Sequence, residues 1–422
     1  MSTQAIEAQL AQVSHEIQRQ KDVLKKLESS RSLLQQQLNA VRDPIARLPL
    51  EISSDIFLQC LPLRSRDYPR EYPRPKPHLA PLLFLNVCHA WTDIAASTPA
   101  LWVSIGIFFP RERGFEQFLK TWLRRTGSRP LQISLRGVFD SVIARPIQHH
   151  SAQLESLVIS FDKTDDLVDE YYDFLGGAQP QVELPRLRTL EIRCVGGVKC
   201  FWLSFHRLLR LAPNITEIFL QNISFRDNII QEEPETLVLP RLRHLTHSED
   251  DFDGMNWVST PGLETLCVST EALFTESFIS FLHQASPPLR TLELCGSSDE
   301  DSFTEPMALM PNLTCFECLL PEPSFVEALL NFLARNPHLV PNLETLQLDE
   351  IIGATSYTDM LTALAGVLSV RRSRLKTVCF TIYRWDDPPS LTDDLTFFRE
   401  LLEEGMNIHI SLEDRPNMLC SS

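Results

Sequence analysis

The sequence predicts an α/β protein built from three consecutive parts. Apolar residues recur in alternating steps of four and three up to residue 41, which is the spacing of a long helix with one apolar stripe. Short apolar segments separated by prolines follow over residues 44–104, and a unit of the form Leu-x-x-Leu-x-Leu returns within residues 105–422. These observations predict a long helix, a small all-helical module and an array of strand–helix repeats, in that order.

Composition excludes several classes of protein. Of the 422 residues, 43% are hydrophobic and 22% are charged, as in globular chains that bury a core without disulfide or metal staples. The sequence has no run of about 18 apolar residues and opens without the apolar core of a signal peptide. We therefore expect no membrane span, a cytoplasmic and/or nuclear location, and ten reduced cysteines.

Charge is distributed unevenly along the chain. Residues 1–150 carry 20 basic and 13 acidic side chains, whereas residues 151–422 carry 19 and 42, a net charge of −23. Such a segment repels phosphate, so we expect no nucleic acid as a partner. Acidic stretches at 165–170, 249–253 and 299–301 are either solvated loops or a rim that attracts a protein with a basic surface.

The first part, residues 1–43, is predicted to be one amphipathic helix, because no glycine or proline interrupts it before Pro44. Nine of its eleven seam positions are apolar, and Gln20 and Arg31 are the exceptions. The seam runs through Ile6, Leu10, Val13, Ile17, Gln20, Leu24, Leu27, Arg31, Leu34, Leu38 and Val41. This spacing is typical of a coiled coil and indicates dimerisation or pairing with another chain. A long helix packed on its own domain is the alternative.

The second part, residues 44–104, indicates short helices. An extended segment with Leu48 and Pro49 leads into the first helix. That helix has one apolar face, formed by Ile52, Ile56, Phe57 and Cys60. A second apolar helical face follows, formed by Leu83, Val87, Cys88, Trp91 and Ile94. An insertion of about residues 62–80 separates the two. Its five prolines exclude a regular helix and predict a disordered loop, or alternatively a basic docking loop.

The third part, residues 105–422, is a repeat. Its units are 21–33 residues long, which brackets the length of leucine-rich repeats. The leading residues are Leu154, Leu187, Ile215, Leu242, Leu263, Leu289, Leu313, Leu343 and Leu375. Helices are expected at 115–125, 201–211, 278–284, 325–334, 360–368 and 395–402, and terminal strands at 131–135 and 408–410. The prediction is an irregular leucine-rich-repeat solenoid with a parallel sheet on its concave face and helices on its convex face.

The second part resembles the F-box. The matching residues are Leu48-Pro49-Leu50-Glu51-Ile52 and Ile56-Phe57, then Val87-Cys88-His89-Ala90-Trp91, and finally Pro99-Ala100-Leu101-Trp102. With a coiled-coil-like helix before the box and leucine-rich repeats after it, the chain is most similar to fungal F-box proteins of that architecture. The insertion at 62–80 departs from the family pattern.

The resemblance implies a partner, because F-box helices bind the Skp-type adaptor subunit of cullin–RING ubiquitin ligases. A unit this small leaves apolar side chains outside its core, where a partner can cover them. The adaptor-facing candidates are Pro44, Ile45, Leu48, Pro49, Leu50, Ile52, Ile56 and Leu61, with Val87, Cys88 and Trp91 shared between core and interface. Plain core packing is the alternative for each of them.

Two functions from different classes remain open. The first is a non-catalytic substrate-recognition subunit of an SCF-type cullin–RING ligase, with a protein target on the repeats. The second is a scaffold protein whose box does not engage the cullin. Neither requires a cofactor or a metal.

In the pair Cys315 and Cys318, the latter takes a leucine position of its repeat, so we expect it to be buried as a small hydrophobe. His244 and His247 are expected to lie at the surface or in the core rather than to bind a metal.

Overall fold

The structure is a computed structural model, and it describes residues 3–42, 44–62, 72–109, 114–137, 144–161, 183–226, 235–250, 252–296, 298, 302–352, 357–383, 395–412 and 417–419. The chain divides into two compact units. Unit 1 comprises residues 1–106 and 120–129, and unit 2 comprises residues 107–119 and 130–422. The fold is α/β, as predicted, with a long N-terminal helix and a large parallel sheet accompanied by helices.

The described helices include every helix that was predicted after residue 105, together with others. They are α1 (Thr3–Arg42), α2 (Leu50–Gln59), α3 (His89–Ala96), α4 (Phe115–Arg125), α5 (Ala144–Gln148), α6 (Trp202–Leu211), α7 (Glu276–Ala285), α8 (Thr304–Ala308), α9 (Pro323–Arg335), α10 (Tyr357–Arg371) and α11 (Thr396–Glu403). The six helices predicted after residue 105 are confirmed, with ends that differ by at most three residues. Among the described residues, no helix combines the length and apolar character needed to cross a bilayer.

The strands form one large sheet and one short pair. They are β1 (Ser104–Phe108), β2 (Leu131–Arg136), β3 (Leu154–Phe161), β4 (Thr189–Phe201), β5 (Glu217–Arg226), β6 (Leu237–Val238), β7 (His244–His247), β8 (Val258–Ser259), β9 (Thr265–Ser269), β10 (Thr291–Cys295), β11 (Cys315–Leu319), β12 (Thr345–Ile352), β13 (Thr377–Tyr383) and β14 (Asn407–Leu412). Apart from the pair β6–β8, they lie in the sheet in chain order, and neighbours from β2 to β14 are parallel.

Apolar side chains from successive strands meet in register on one face of the sheet. Leu292 pairs with Leu266 on one side and Phe316 on the other, and Leu346 continues the row. The nine leading leucine and isoleucine residues precede or begin these strands, and none is more than 3% exposed. Because strand side chains alternate between faces, this arrangement buries one face of every strand against its neighbours and the adjoining helices.

The proline-rich insertion differs in part from the predicted disordered loop. Residues 63–71 lie outside the described residues. Residues 72–80 are described, and Tyr72 and Ala80 are buried there. The backbone N–H of Gly106 donates to the carbonyl of Pro73 at 3.1 Å. Prolines prevent regular structure in this segment but leave the carbonyl groups and aromatic side chains available for packing.

A buried arginine joins two helices of unit 2. Arg371, at the end of α10, is 4% exposed, and its guanidinium donates to four backbone carbonyls at 2.9–3.1 Å. These carbonyls belong to Leu333, Asn336, Leu339 and Val340, at and beyond the end of α9. Backbone N–H groups also donate to the carbonyls of Asn336 and Val340, so the arginine adds a second donor to these two. Carbonyls at a helix C-terminus lack partners within the helix, and a guanidinium with five N–H groups can serve several of them at once.

We expect Arg371→Ala to lower the free energy of unfolding by at least about 3 kcal/mol, because it removes four hydrogen bonds from a charged donor to backbone carbonyls in a buried site. Arg372 is the matched control: it is half exposed and pairs with Glu404. Arg372→Ala should cost less than about 1 kcal/mol, as exposed ion pairs usually do. Urea unfolding followed by circular dichroism measures both values. Equal losses in the two variants would contradict the structural role given to Arg371.

His247 is buried among aromatic rings in unit 2. Its ring lies 6.1 Å from that of Phe225 and 5.3 Å from that of Phe252, centroid to centroid. Nδ1 lies 3.2 Å from the carbonyl oxygen of Glu249. Burial lowers the pKa of His247 to about 4, and the weaker influences of Glu249 and Asp250 act in the opposite direction. His247 was expected at the surface or in the core, and it lies in the core as a neutral residue.

This burial makes stability depend on pH. The unfolded chain binds a proton at His247 near its ordinary pKa of about 6.5, whereas the folded chain binds it only near 4. The contribution of His247 is therefore complete above about pH 6.5 and is lost as the pH falls to about 4, for a total of roughly 3 kcal/mol. In His247→Phe the slope of the free energy of unfolding between pH 6.5 and 4 should become shallower. An unchanged slope in urea titrations at several pH values would refute this.

Candidate functional site

Three aromatic rings form the core of the helical module in unit 1. Phe57 from α2 stacks on Phe84, with ring centroids 4.1 Å apart, and lies 5.0 Å from Trp91 of α3. Phe84 and Trp91 meet edge to face at 5.9 Å. Aromatic contacts of this kind add to the free energy of area burial, so they set the positions of α2 and α3.

Short polar contacts hold the segment before α2 in place. The buried hydroxyl of Ser53 donates to the carbonyl of Ile45 at 3.2 Å, which holds the turn Ile45–Arg47 against α2. The hydroxyl of Ser54 lies 2.8 Å from that of Thr98, whose hydroxyl in turn donates to the carbonyl of Ile94 at 2.7 Å. Ser53 and Ser54 therefore face the interior of the module, and the opposite side of α2 faces outward.

A tryptophan pair closes the module. The indole of the buried Trp102 donates to the carbonyl of Ala95 at 2.8 Å, and the indole of Trp122 donates to the carbonyl of Trp102 at 2.7 Å. Arg125 lies over the Trp102 ring, 4.4 Å from its centroid. These contacts satisfy the indole N–H groups of Trp102 and Trp122.

The apolar side chains of α2 and its lead fall into two groups. Phe57 is buried, whereas four other apolar residues are 37–48% exposed. We call these four the outer strip: Leu48, Leu50, Ile52 and Ile56. Ile52 and Ile56 lie one helical turn apart on α2. A small unit thus presents branched apolar side chains to solvent, which is typical of a surface that a partner covers.

The other predicted site residues near α2 differ in exposure. Pro44 and Pro49 are exposed, and Ile45 is half-buried. Leu61 is also half-buried and lines a separate cavity of about 120 Å³. A further exposed apolar residue is Leu83, whose spacing assigned it to an apolar helical face. The helix expected there is instead a short 3-10 turn, so the spacing argument does not hold for Leu83.

Val87, Cys88 and Trp91 do not lie on one continuous helix. The backbone forms a 3-10 turn over Leu82–Asn86 and breaks at Val87, and α3 begins after Cys88. Val87 is exposed and Cys88 is half-buried. Both line a cleft of about 780 Å³, with Glu28, Arg31, Ser32 and Gln35 of α1 on its other wall. The indole nitrogen of Trp91 is buried and lacks an acceptor within the described part of the chain.

A second candidate surface is the polar face of the sheet in unit 2. Its central row pairs in register across β9–β13 and consists of Cys267, Glu293, Glu317, Gln347 and Cys379. All five are half-buried. Burial first, and the neighbouring Glu317 second, raise the pKa of Glu293. The acidic stretches predicted from the sequence lie in segments between strands instead. Of those stretches, 165–170 and 299–301 lie outside the described residues.

Thiol groups on this face differ in acidity. A hydrogen bond from Cys267 stabilises the thiolate of Cys295 and lowers its pKa to about 7, while the same contact raises the pKa of Cys267. Burial raises the pKa of Cys315 to about 12 and that of Cys379 to about 11. Cys318 is buried as predicted, and burial raises its pKa to about 12. Within the described residues, no cluster of three or more His, Cys, Asp or Glu side chains could hold a metal ion.

We expect Cys295 to react with iodoacetamide at pH 7 at least tenfold faster than Cys315, because the thiolate is the nucleophile and Cys295 is roughly half ionised there. Labelled peptides quantified by mass spectrometry between pH 6 and 9 give the two rates. Cys267→Ala should slow the reaction of Cys295 with iodoacetamide at pH 7, because the hydrogen-bond donor to its thiolate is removed. Cys267→Ser should preserve the rate, because the serine hydroxyl can donate in place of the thiol. Equal rates at Cys295 and Cys315 would disprove the assignment.

Comparison with models of known protein families found no match, and comparison with curated proteins found no similar sequence. The F-box resemblance therefore rests on the residues quoted above. The outer strip and the polar sheet face are the two surfaces from which a function can be argued.

Proposed function

We propose that this chain is a non-catalytic substrate-recognition subunit of an SCF-type cullin–RING ubiquitin ligase. In this proposal the helical module of unit 1 is an F-box that binds a Skp-type adaptor. The sheet of unit 2 is an irregular leucine-rich-repeat solenoid that holds a protein target. The ligase then acts by keeping its target close to the ubiquitin-loaded enzyme, in the cytoplasm and/or nucleus.

The outer strip is the observation that carries the proposal. Its four side chains flank or lie on α2, the segment that matches the opening of the F-box pattern. Each is about half exposed, so covering it contributes roughly 1 kcal/mol, half the value of full burial. Four such side chains together supply about 4 kcal/mol, which is roughly a thousandfold in affinity. That contribution suffices to make the strip the centre of a specific interface.

The polar sheet face supports a protein target with basic side chains. Glu293 and Glu317 are paired on neighbouring strands, and Asp349 lies on the next strand. Carboxylates half-buried on a sheet gain from a lysine or arginine that approaches from a partner. The net charge of −23 over residues 151–422 adds long-range attraction for such a target.

The adaptor contact is tested by replacing exposed residues that the fold does not need. Leu50→Ala, Ile52→Ala and Ile56→Ala in one chain should weaken binding of a Skp-type adaptor at least 100-fold, because most of the outer strip is lost. The matched control is Val238→Ala, Leu319→Ala and Val370→Ala, which removes three exposed apolar side chains from unit 2. Co-expression, pull-down and calorimetry measure binding, and the melting temperature should be unchanged in both variants.

The outcomes separate the two functions. If the wild-type chain does not bind the adaptor, or if the α2 variant binds as well as the control, the proposed interface is wrong. If adaptor binds but complexes purified from native cells lack a cullin, the scaffold function takes the place of the ligase function. Accumulation of the same bound target when the ligase is inhibited supports a substrate-recognition subunit.

A further inference from the structure

The apolar seam of α1 faces solvent. Eight apolar seam side chains on this 40-residue helix are 41–67% exposed: Ile6, Leu10, Val13, Ile17, Leu24, Leu27, Leu34 and Leu38. A helix of this length derives most of its stability from packing of its apolar face, and the seam extends over about five heptads. The seam therefore requires a partner helix with the same 3.5-residue period.

We propose that α1 pairs with α1 of a second copy of this chain in an antiparallel two-stranded coiled coil. The two polar positions of the seam determine the orientation and the alignment of the two helices. In an antiparallel pair, position a of one helix meets position d of the other, so facing positions have a constant sum of residue numbers. One such alignment brings residue 24 opposite residue 27, a sum of 51, and overlaps the two helices over residues 9–42.

This alignment pairs polar residues with polar residues. Gln20 and Arg31 also sum to 51, so each meets the other in the opposite helix, once on either side of the centre. An arginine is a donor without an acceptor, and the amide oxygen of Gln20 accepts what it donates. The amide nitrogen of Gln20 is already engaged, since it donates to Glu16 at 2.7 Å. The apolar layers become Ile17 with Leu34, Leu24 with Leu27, and Val13 with Leu38.

Other alignments lose this match. A shift of one heptad in either direction places Gln20 against Leu24 or Leu38, and Arg31 against Val13 or Leu27. Each shift therefore buries an amide and a charge in apolar layers, which costs free energy.

A parallel alignment brings like charges together. It places Arg31 against Arg31 of the second copy in the seam, where two guanidinium groups repel each other. The flanking charges do not compensate, because both orientations gain two attractive pairs. A parallel coil pairs Glu16 with Lys21 of the other copy, and an antiparallel coil pairs Lys21 with Glu28. The seam therefore decides the orientation.

The orientation determines where the helices lead. In the antiparallel coil, residue 42 of one copy lies opposite residue 9 of the other, so the two exits are about 50 Å apart at a rise of 1.5 Å per residue. The two copies then continue from opposite ends of the coil. This inference concerns assembly and holds whether or not the chain binds an adaptor.

The oligomeric state is tested on the full-length chain by light scattering coupled to gel filtration. The wild-type chain should be a dimer. Ile17→Lys with Leu34→Lys places lysines against each other in two layers, so the dimer should dissociate with at least a 100-fold higher Kd. The matched control, Gln18→Lys with Leu33→Lys, changes exposed positions outside the seam and should remain dimeric. A monomeric wild-type chain, or equal behaviour of both variants, would overturn the proposal.

Orientation is tested by oxidative crosslinking of the same chain, with the wild type as the background for its native cysteines. Gln20→Cys alone and Arg31→Cys alone should give no additional covalent dimer on a non-reducing gel, because neither residue meets itself. The double variant Gln20→Cys with Arg31→Cys should crosslink readily. Covalent dimers in either single variant would show a parallel coil and overturn the antiparallel assignment.

Discussion

The structure depends on the register of apolar side chains between neighbouring parallel strands. No strand–helix unit of about 30 residues can bury its own apolar face, so each leucine of one unit is covered by its counterparts in the next. Leu266, Leu292, Phe316 and Leu346 pair in one such row, and the leading residues are buried beside it. The stability of unit 2 is therefore a sum of contacts between neighbouring strand–helix repeats. A side chain that joins two neighbouring repeats, such as Arg371, stabilises both of them.

The same constraint explains how much of the fold was predictable. Burial of one face requires apolar residues at every second position of a strand and at every third or fourth position of a helix. The spacing of leucines in the sequence shows both periods, so these elements could be predicted. Hydrogen bonds from side chains to backbone carbonyls produce no such regular spacing in the sequence. Arg371, beside Arg372, carries no sign in the sequence that one arginine is buried and the other exposed. Leu320 takes a left-handed backbone conformation, φ 59°, at the position where Gly296 ends the preceding strand.

Predictability was lower in the helical module, because short helices give few periods to read. Spacing grouped Ile52, Ile56 and Phe57 on one apolar face, yet Phe57 is buried against Phe84 and Trp91 while the isoleucines are exposed. The inward face of α2 carries Phe57, which packs on these two rings, and Ser53, which donates to the carbonyl of Ile45. This orientation of α2 depends on the three-dimensional positions of its contact partners, which the local sequence does not encode. Helix identity was thus predictable, and the choice of outward side chains was not.

Two exposed apolar surfaces on unit 1 call for different partners. The seam of α1 is long and contains two polar residues, Gln20 and Arg31. One antiparallel alignment of the seam with itself places these two residues opposite each other. The outer strip has four side chains on and before a ten-residue helix and contains no polar residue that could select a register. Specificity there must come from the shape and polar rim of another surface. In the proposed assembly, α1 is therefore the surface that self-associates, and the outer strip is the surface that a different protein covers.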